Sequence, residues 1–431
     1  MSKYDTYKET DVIWFKELPA HWKRKRVKDV TQTLAGGTPD TSKEEYWEGS
    51  IPWLPSGKVQ NSIINEEDAD TFITEEGLKN SATKMLPAPA TLIALTGATC
   101  SNIGYLTFDA CANQSVVGMP GSSKILPKFL FYTLQSQKEQ ILLHQTGGAQ
   151  GGISESDVKF LFIPVPIESE QLTIANYLDD QTQKIDRLIA NKKAQAEKLK
   201  ELRQIEINNA VTKGLNPNAE MKDSGIEWLG KIPKHWTTKR MKDVASVRGR
   251  IGFRGYTVDD IVDEGALVIG AKHINSSNQL NFDDPEYISW EKYYESPEIM
   301  VEVGDVLIVQ RGSVGKFALV EKEIGPATIN PSMILLRLNT RIHPQFLFWY
   351  LLGEHMFNII KTIVSSTAVP MISQMQAGVF RIILPPKKEQ IEIANYLMER
   401  TAAIDQLIKN IEAQIEKLQE LRKIKIYEAV T

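Results

Sequence analysis

The chain has 431 residues, 42% of them hydrophobic and 24% charged, an ordinary globular mixture with length for two or three domains. Its 50 Lys and Arg against 54 Asp and Glu leave a formal charge of −4, which excludes a polycationic tail but not a nucleic-acid partner, because binding depends on where the charge sits. Two cysteines (Cys100 and Cys111) exclude a disulfide scaffold, and six histidines with neither HExxH nor HxH spacing argue against a metal enzyme.

In chain order, the first recognisable segment is Trp14, Pro19, His21-Trp22, Lys25-Arg26 and Lys28-Asp29-Val30. Short β-rich runs between Gly, Pro, Asn and Ser turns follow, among them Thr91–Thr96. An aromatic-rich helix is predicted over Lys128–His144, then a Gly-rich loop at 147–152. Pro164 and Pro166 precede a long predicted helix, Gln171–Asn209, which Gly214 and Pro217 close.

The whole series then returns. Trp228, Pro233, His235-Trp236, Lys239-Arg240 and Lys242-Asp243-Val244 repeat the opening at a displacement of 214 residues. Strands are predicted at Val306–Gln310 and Ala318–Glu321, an aromatic helix at Gln345–Thr362, and Pro385-Pro386 before the last helix. The closest match is Glu170-Gln171 with Ile174–Leu178, which recurs as Glu389-Gln390 with Ile393–Leu397. A period this long means a duplicated domain rather than a solenoid. The opening and closing stretches of each copy match well, whereas the middles, 34–121 and 247–337, hardly do. The ends therefore make a shared frame, and the middles are expected to do different jobs. The segments read as an α+β architecture: head 1–167, helix 168–212, linker 213–225, head 226–386 and helix 387–431.

The helices carry apolar residues at heptad spacing. Leu178, Ile185, Lys192 and Leu199 fall at seven-residue steps, complemented by Ile174, Leu188 and Leu202. In the second copy Leu397, Ile404, Ile411 and Leu418 pair with Ile393, Leu407 and Leu421. A helix of about 30 residues spans roughly 45 Å. The chain leaves one head along the first helix and enters the second, so the second helix is expected to run back in an antiparallel coiled coil. The heads are then expected at opposite ends, related by an approximate two-fold axis and separated by at least one turn of B-DNA, about 34 Å. The seam residues are the expected partner-binding positions.

No catalytic constellation emerges. Gly312–Lys316 lacks the spacing and the Ser/Thr of a P-loop, and Asn330-Pro331-Ser332-Met333 lacks the second Pro and the aromatic of an adenine methyltransferase motif. No apolar run approaches a membrane span, the longest being Phe160–Ile167 and Phe346–Leu352. The polar N-terminus lacks the apolar stretch of a signal peptide, so a cytoplasmic protein without membrane contact is expected.

What remains is a binder. Lys23, Arg24, Lys25, Arg26 and Lys28 place five basic residues in six positions, echoed by Lys239 and Arg240, and suit phosphate contact. In the second head Arg248, Arg250 and Arg254 alternate with glycines, and Lys272, His273, Asn275, Gln310, Arg311, Ser313 and Lys316 add side chains of the kind that read base edges. The first head offers a different set: Ser56, Lys58, Asn61, Thr96, Thr99, Ser101, Asn102 and Gln150. Two alike frames bearing unlike polar loops suggest two different short DNA sequences being read.

These residues resemble a known family. Trp228–Trp236, Gly36-Gly-Thr-Pro39 with Tyr46-Trp47 and Ile51-Pro-Trp53, and the Glu-Gln…Ile-Ala-Asn-Tyr-Leu helix entries are similar to the specificity subunit of type I restriction-modification enzymes. The likeness covers essentially the whole chain, although the first frame lacks the glycine found at Gly230. The resemblance implies two target recognition domains reading the halves of a split, asymmetric double-stranded DNA site. It implies as partners two modification subunits, which methylate adenine at N6, and two ATP-dependent restriction subunits. S-adenosylmethionine, ATP and Mg²⁺ would sit on those partners, leaving this subunit without cofactor, metal or catalysis. Three readings compete: a non-DNA scaffold with two protein-binding heads, a self-sufficient methyltransferase or nuclease with an unfamiliar active site, and a specificity subunit serving a methyltransferase-only complex.

Overall fold

A computed structural model describes residues 4–145, 151–250, 255–365 and 371–431. Gln150, Arg254 and most of the Gly-rich stretch at 147–152 lie outside the described residues. The chain forms two compact units, Met1–Lys193 with Ala413–Thr431, and Ala194–Glu412.

In the first unit a five-stranded sheet runs in the order Leu34–Ala35, Val116–Pro120, Ala90–Ala94, Ile103–Leu106, Ile63–Ile64. Its central strands read as continuous apolar runs because both faces are covered, and alternate residues serve opposite cores. Ile93, Val117 and Met119 join Trp22, Phe129 and Ile174 on the helical side. Leu92, Ala94 and Val116 join Leu54 and Leu86, toward a four-stranded sheet in the order Phe72–Ile73, Trp47–Leu54, Ala110–Ala112, Met85–Leu86.

The second unit repeats this plan. Ala245–Arg248, Met333–Leu338, Val306–Val309 and Phe317–Leu319 form a sheet in the same strand order. Ile308, Ile334 and Leu336 face the helical core, while Leu307, Val309, Met333 and Leu335 face the other. The likeness extends through the middles, where the sequences hardly match. Trp53-Leu54 pairs parallel with Cys111-Ala112, and Val268-Ile269 pairs parallel with Thr328-Ile329. Helix Glu75–Lys79, capped by Thr74, has its counterpart in Trp290–Tyr294, capped by Ser289. The middles therefore differ in side chains while keeping one backbone plan.

Each expected aromatic helix is two helices. Pro127–Ser136 gives way at Gln137 to Lys138–Leu142, and Pro344–Leu351 stops before Gly353, where Glu354–Ser365 begins. Pro at the first helical turn starts both aromatic helices, since its missing N–H is no loss there. The expected strands are also shorter than the apolar runs, ending at Ala94, Val309 and Leu319.

The long helices span Glu168–Lys213 and Lys387–Val430, with no Pro or Gly inside. Gly214, at φ +75°, ends the first, a left-handed conformation that glycine takes without cost. The Glu-Gln pair at each helix start has a definite task. Gln171 accepts from Leu126 N–H and donates to the Lys124 and Pro166 carbonyls, as Gln390 accepts from His343 N–H and donates to those of Arg341 and Pro385. Both glutamines are buried, so each clamps its long helix to the start of the aromatic helix. The preceding glutamates hold the repeated histidines, His21 to Glu170 at 2.9 Å and His235 to Glu389 at 2.8 Å.

Within each unit the helices run antiparallel. In the first, Ile426, Ala429 and Val430 share the core of Ile174 and Leu178, and Arg422 pairs with Asp186 at 3.0 Å. In the second, Ile207, Ala210 and Val211 pack with Ile393 and Leu397, and Arg203 pairs with Asp405 at 2.9 Å. Seam composition corrects the heptad reading. Leu178, Thr182, Ile185 and Ala196 are buried, as are Leu397, Thr401, Ile404 and Ile408. Leu199, Ile411 and Leu418 are half-buried. Leu188, Leu202, Leu407 and Leu421 stand outside, at 49%, 36%, 51% and 40% exposure. The next inward step after Ile185 is four residues, to Ile189, rather than three. Small residues, Thr182, Ala196 and Thr401, fill seam positions that the heptad reading did not include.

Among the described residues no helix is long and apolar enough to cross a membrane. Nor is any group of three or more His, Cys, Asp or Glu placed among them to hold a metal ion.

Candidate nucleic-acid interface

The basic run Lys23–Arg26 forms a strand paired with Phe162–Val165. Strand alternation separates its charges onto two faces. Arg24 and Arg26 lie over the Phe162 ring at 4.7 and 5.1 Å, and Arg24 also pairs with Asp11. Lys28 sits 4.0 Å over the half-exposed Phe160 ring, while Lys23 and Lys25 are exposed. Aromatic faces attract the cations and fix arginine planes, which leaves a pre-ordered positive surface. The second head has Thr237–Arg240 against Arg381–Leu384, with Arg381 facing Arg240 where Phe162 faces Arg26. Lys239 is half-buried, and Arg240 is exposed and lies 3.7 Å from Asp243.

Several predicted base readers are consumed by the fold. Ser101 and Asn102 are buried, and Asn102 donates to the Val59 carbonyl while accepting from Asn61 and Lys138. Asn61 in turn accepts from Ile103 N–H, so this asparagine pair knits loops together. Lys58 pairs with Asp70 at 2.7 Å, and that hydrogen bond lowers the Asp70 carboxyl below its ordinary value. His273 is buried, accepting from Gly270 N–H, and Lys272 pairs with Asp284 at 2.9 Å. Arg250 is buried, donating to the Ile329 carbonyl and Thr328 hydroxyl; burial lowers its pKa, countered by Tyr256. Asn275 accepts from the backbone of Ser277 and Gln279, and Lys316 donates to the Ile274 carbonyl. Gln310 is nearly buried and donates to the Pro331 carbonyl. Ser56 and Thr99 are half-buried, leaving Thr96, Arg248, Arg311 and Ser313 exposed, together with Lys272 in its ion pair.

Residue-type reasoning missed the junction that presents Thr96 and Arg311. Leu95 N–H donates to the Ser115 carbonyl, and Ile153 N–H to the Leu95 carbonyl. In the second head Gln310 N–H donates to the Ser332 carbonyl, and Ile372 N–H to the Gln310 carbonyl. Asn113 and Asn330 each accept from the serine two residues on, Ser115 and Ser332. The Asn-Pro-Ser segment of the second head is thus a turn with a counterpart in the first. The available signal was a displacement holding at 215 residues, which aligns Thr96-Gly97 with Arg311-Gly312.

The model of the "Type I restriction modification DNA specificity domain" matches residues 19–198 and again 233–417. The chain belongs to that family. A type I restriction enzyme specificity subunit of Escherichia coli is 28% identical over 232 residues, 52% of this chain and 50% of that one. One of Methanocaldococcus jannaschii is 28% identical over 254 residues, so the chain spans about half the length of each of these relatives in the matched stretch, 50% and 55%. Another from that archaeon is 23% identical over 97% of this chain and 94% of its own length. Among solved structures, a chain of a type I R-M system has a TM-score of 0.73 at 16% identity, covering 96% of this chain and 98% of its own. The HsdS subunit of Thermoanaerobacter tengcongensis has a TM-score of 0.52 at 16% identity, covering 96% and 97%. These structures share the fold: two mixed α/β heads, each followed by a long helix.

Proposed function

We propose that this member of the specificity family is the sequence-reading, non-catalytic subunit of a cytoplasmic type I restriction-modification complex. The heads, 1–167 and 226–386, read the two halves of a bipartite, asymmetric double-stranded DNA site. The helices, 168–212 and 387–431, set the spacer and dock two modification subunits, with 213–225 as linker. Two restriction subunits complete the assembly, and S-adenosylmethionine, ATP and Mg²⁺ act on the partners. The observation that carries this reading is one backbone plan used twice with unlike exposed side chains. Lys23, Lys25, Arg26 and Arg240 supply phosphate contacts, which position without specifying. Arg248, Arg311 and Ser313 in the second head, and Thr96 in the first, face the bases. Spacer-setting is supported by the chain passing between units only along the long helices, at 193/194 and 412/413. Docking is supported by the leucines left outside the seam, a second apolar stripe beside the first.

The test is to add modification subunits and S-adenosylmethionine to the full chain and map N6-methyladenine on genomic DNA. The expected product is one motif with two unlike halves and a fixed spacer, and no methylation by the chain alone. Four residues inserted into each helix, after Ala196 and after Gln414, add about 6 Å. The spacer should then lengthen by one or two base pairs at about 3.4 Å each, with unchanged halves. Methylation without sequence preference would sink the proposal, and an unchanged spacer would sink the ruler.

A further inference from the structure

The junction beside each central strand does more than expose a side chain. Resting on the DNA-reading function above, we infer that Thr96 and Arg311 are the same reading position in the two heads. Arg311 selects a guanine in one half-site and Thr96 a thymine in the other.

Three observations place the two residues in register. Each follows a central sheet strand by two residues, Ala90–Ala94 and Val306–Val309. Each forms an isolated antiparallel bridge, Thr96 to Gly152 and Arg311 to Met371. Each is followed by a glycine in the left-handed region, Gly97 at φ +71° and Gly312 at φ +79°. A Cβ on either glycine would meet nothing within 4 Å, so the residue is there for its backbone rather than for space. The chain turns away at once, and a single side chain is left at the edge of a hydrogen-bonded strand end. A side chain fixed on a rigid element is held more closely than one on a loop, as direct readout requires.

The chemistry at this position differs between the heads. Arg311 is exposed, and its Nε lies 3.2 Å from Met371 Sδ. A thioether is a weak acceptor, readily exchanged for a better one. The guanidinium fork matches O6 and N7 of guanine, the commonest specific contact in the major groove. Thr96 is exposed too, but its hydroxyl donates to Ser115 Oγ at 2.8 Å. With the hydroxyl tied back, its methyl remains to meet the methyl of thymine.

The experiment uses the full chain with modification subunits, and compares wild type, Arg311→Thr, Arg311→Lys and Thr96→Arg by mapping methylated sites. Arg311→Thr should reduce discrimination for guanine at one position of one half-site by roughly 5- to 150-fold, and Arg311→Lys by less. Thr96→Arg should change one position of the other half-site, toward guanine. The untouched half-site in each variant reports that the complex still assembles. Equal weakening on cognate and random DNA would overturn the inference, because it would make Arg311 a phosphate contact. Unchanged motifs in both exchanges, or changes in the same half-site, would also overturn it. A wild type with no sequence preference would instead remove the underlying functional reading.

Discussion

At matching places the first head carries Phe162, Thr96 and Ser115, and the second carries Arg381, Arg311 and Ser332. The third of these pairs is alike, and its role is to hold a strand end through its carbonyl. The first two differ, and they sit where side chains leave the fold. Buried positions tell the same story in reverse. Trp22 and Trp236 are both buried, as are Gln171 and Gln390 and the pair Leu178 and Leu397. In the frame, what satisfies backbone hydrogen bonds or fills the core is repeated, whereas in the middles even buried pairs such as Trp53 and Val268 differ within one backbone plan. Duplicated heads can therefore diverge in what they read without diverging in fold.

The largest effects are expected at the shared cores. Trp22→Ala and Trp236→Ala each remove a fully buried indole, at a cost of about 3–5 kcal/mol. Each loss should fall on its own unit. Hydrogen exchange resolved by segment checks this: Trp22→Ala should raise exchange in the sheet of Ala90–Ala94, and Trp236→Ala in that of Val306–Val309. Equal loosening of both sheets by either variant would mean that the two cores are not independent.

A smaller effect should separate the heads by acid. His355 is buried in the second unit, and desolvation pushes its pKa down to about 4, against a weaker raising influence from the Tyr350 backbone. Both states are neutral at this group above the unfolded value of about 6.5. Below that the unfolded chain takes up the proton first, so stability falls from about pH 6.5 and levels off below about pH 4. The full loss amounts to roughly 3 kcal/mol. In the first unit His21 and His144 are exposed. Chemical denaturation at pH 7 and pH 4.5 should show the second unit losing more stability than the first, and His355→Gln should shrink that difference. An acid response equal in the two units would remove His355 as its cause.

The duplication, the mixed heads, the long helices and their antiparallel course were legible in the sequence because they rest on repeated buried residues. The common plan of the middles was not legible. There Ala90–Ala94 and Val306–Val309 share only the pair Leu92-Ile93 and Leu307-Ile308, too short a match to stand out, and strand order depends on backbone bonds that leave no residue signature. The site was legible in part. Basic and amide residues marked the right loops, but residue type does not tell a reader such as Arg311 from a structural member such as Arg250 or Asn102. That distinction is set by burial and by hydrogen bonds arriving from distant segments.

The smallest effect on folding lies along the two faces of each helix. Ile185 and Ile404 face the seam, at 6% and 3% exposure, whereas Leu188 and Leu407 lie three residues on at 49% and 51%. Ile185→Gln or Ile404→Gln buries an amide without a partner and should cost about 2–4 kcal/mol. Leu188→Gln with Leu407→Gln should cost less, about 1 kcal/mol per site, since about half of each side chain is already in solvent. If the outer stripe docks the modification subunits, this milder double variant should nonetheless weaken their binding. Each replaced leucine would forgo about 1 kcal/mol of burial against the partner. Thermal melting of the isolated chain and titration with the modification subunit separate the two quantities. Unchanged binding in the double variant would assign docking to another surface, and a large drop in melting temperature would place these leucines in the seam after all.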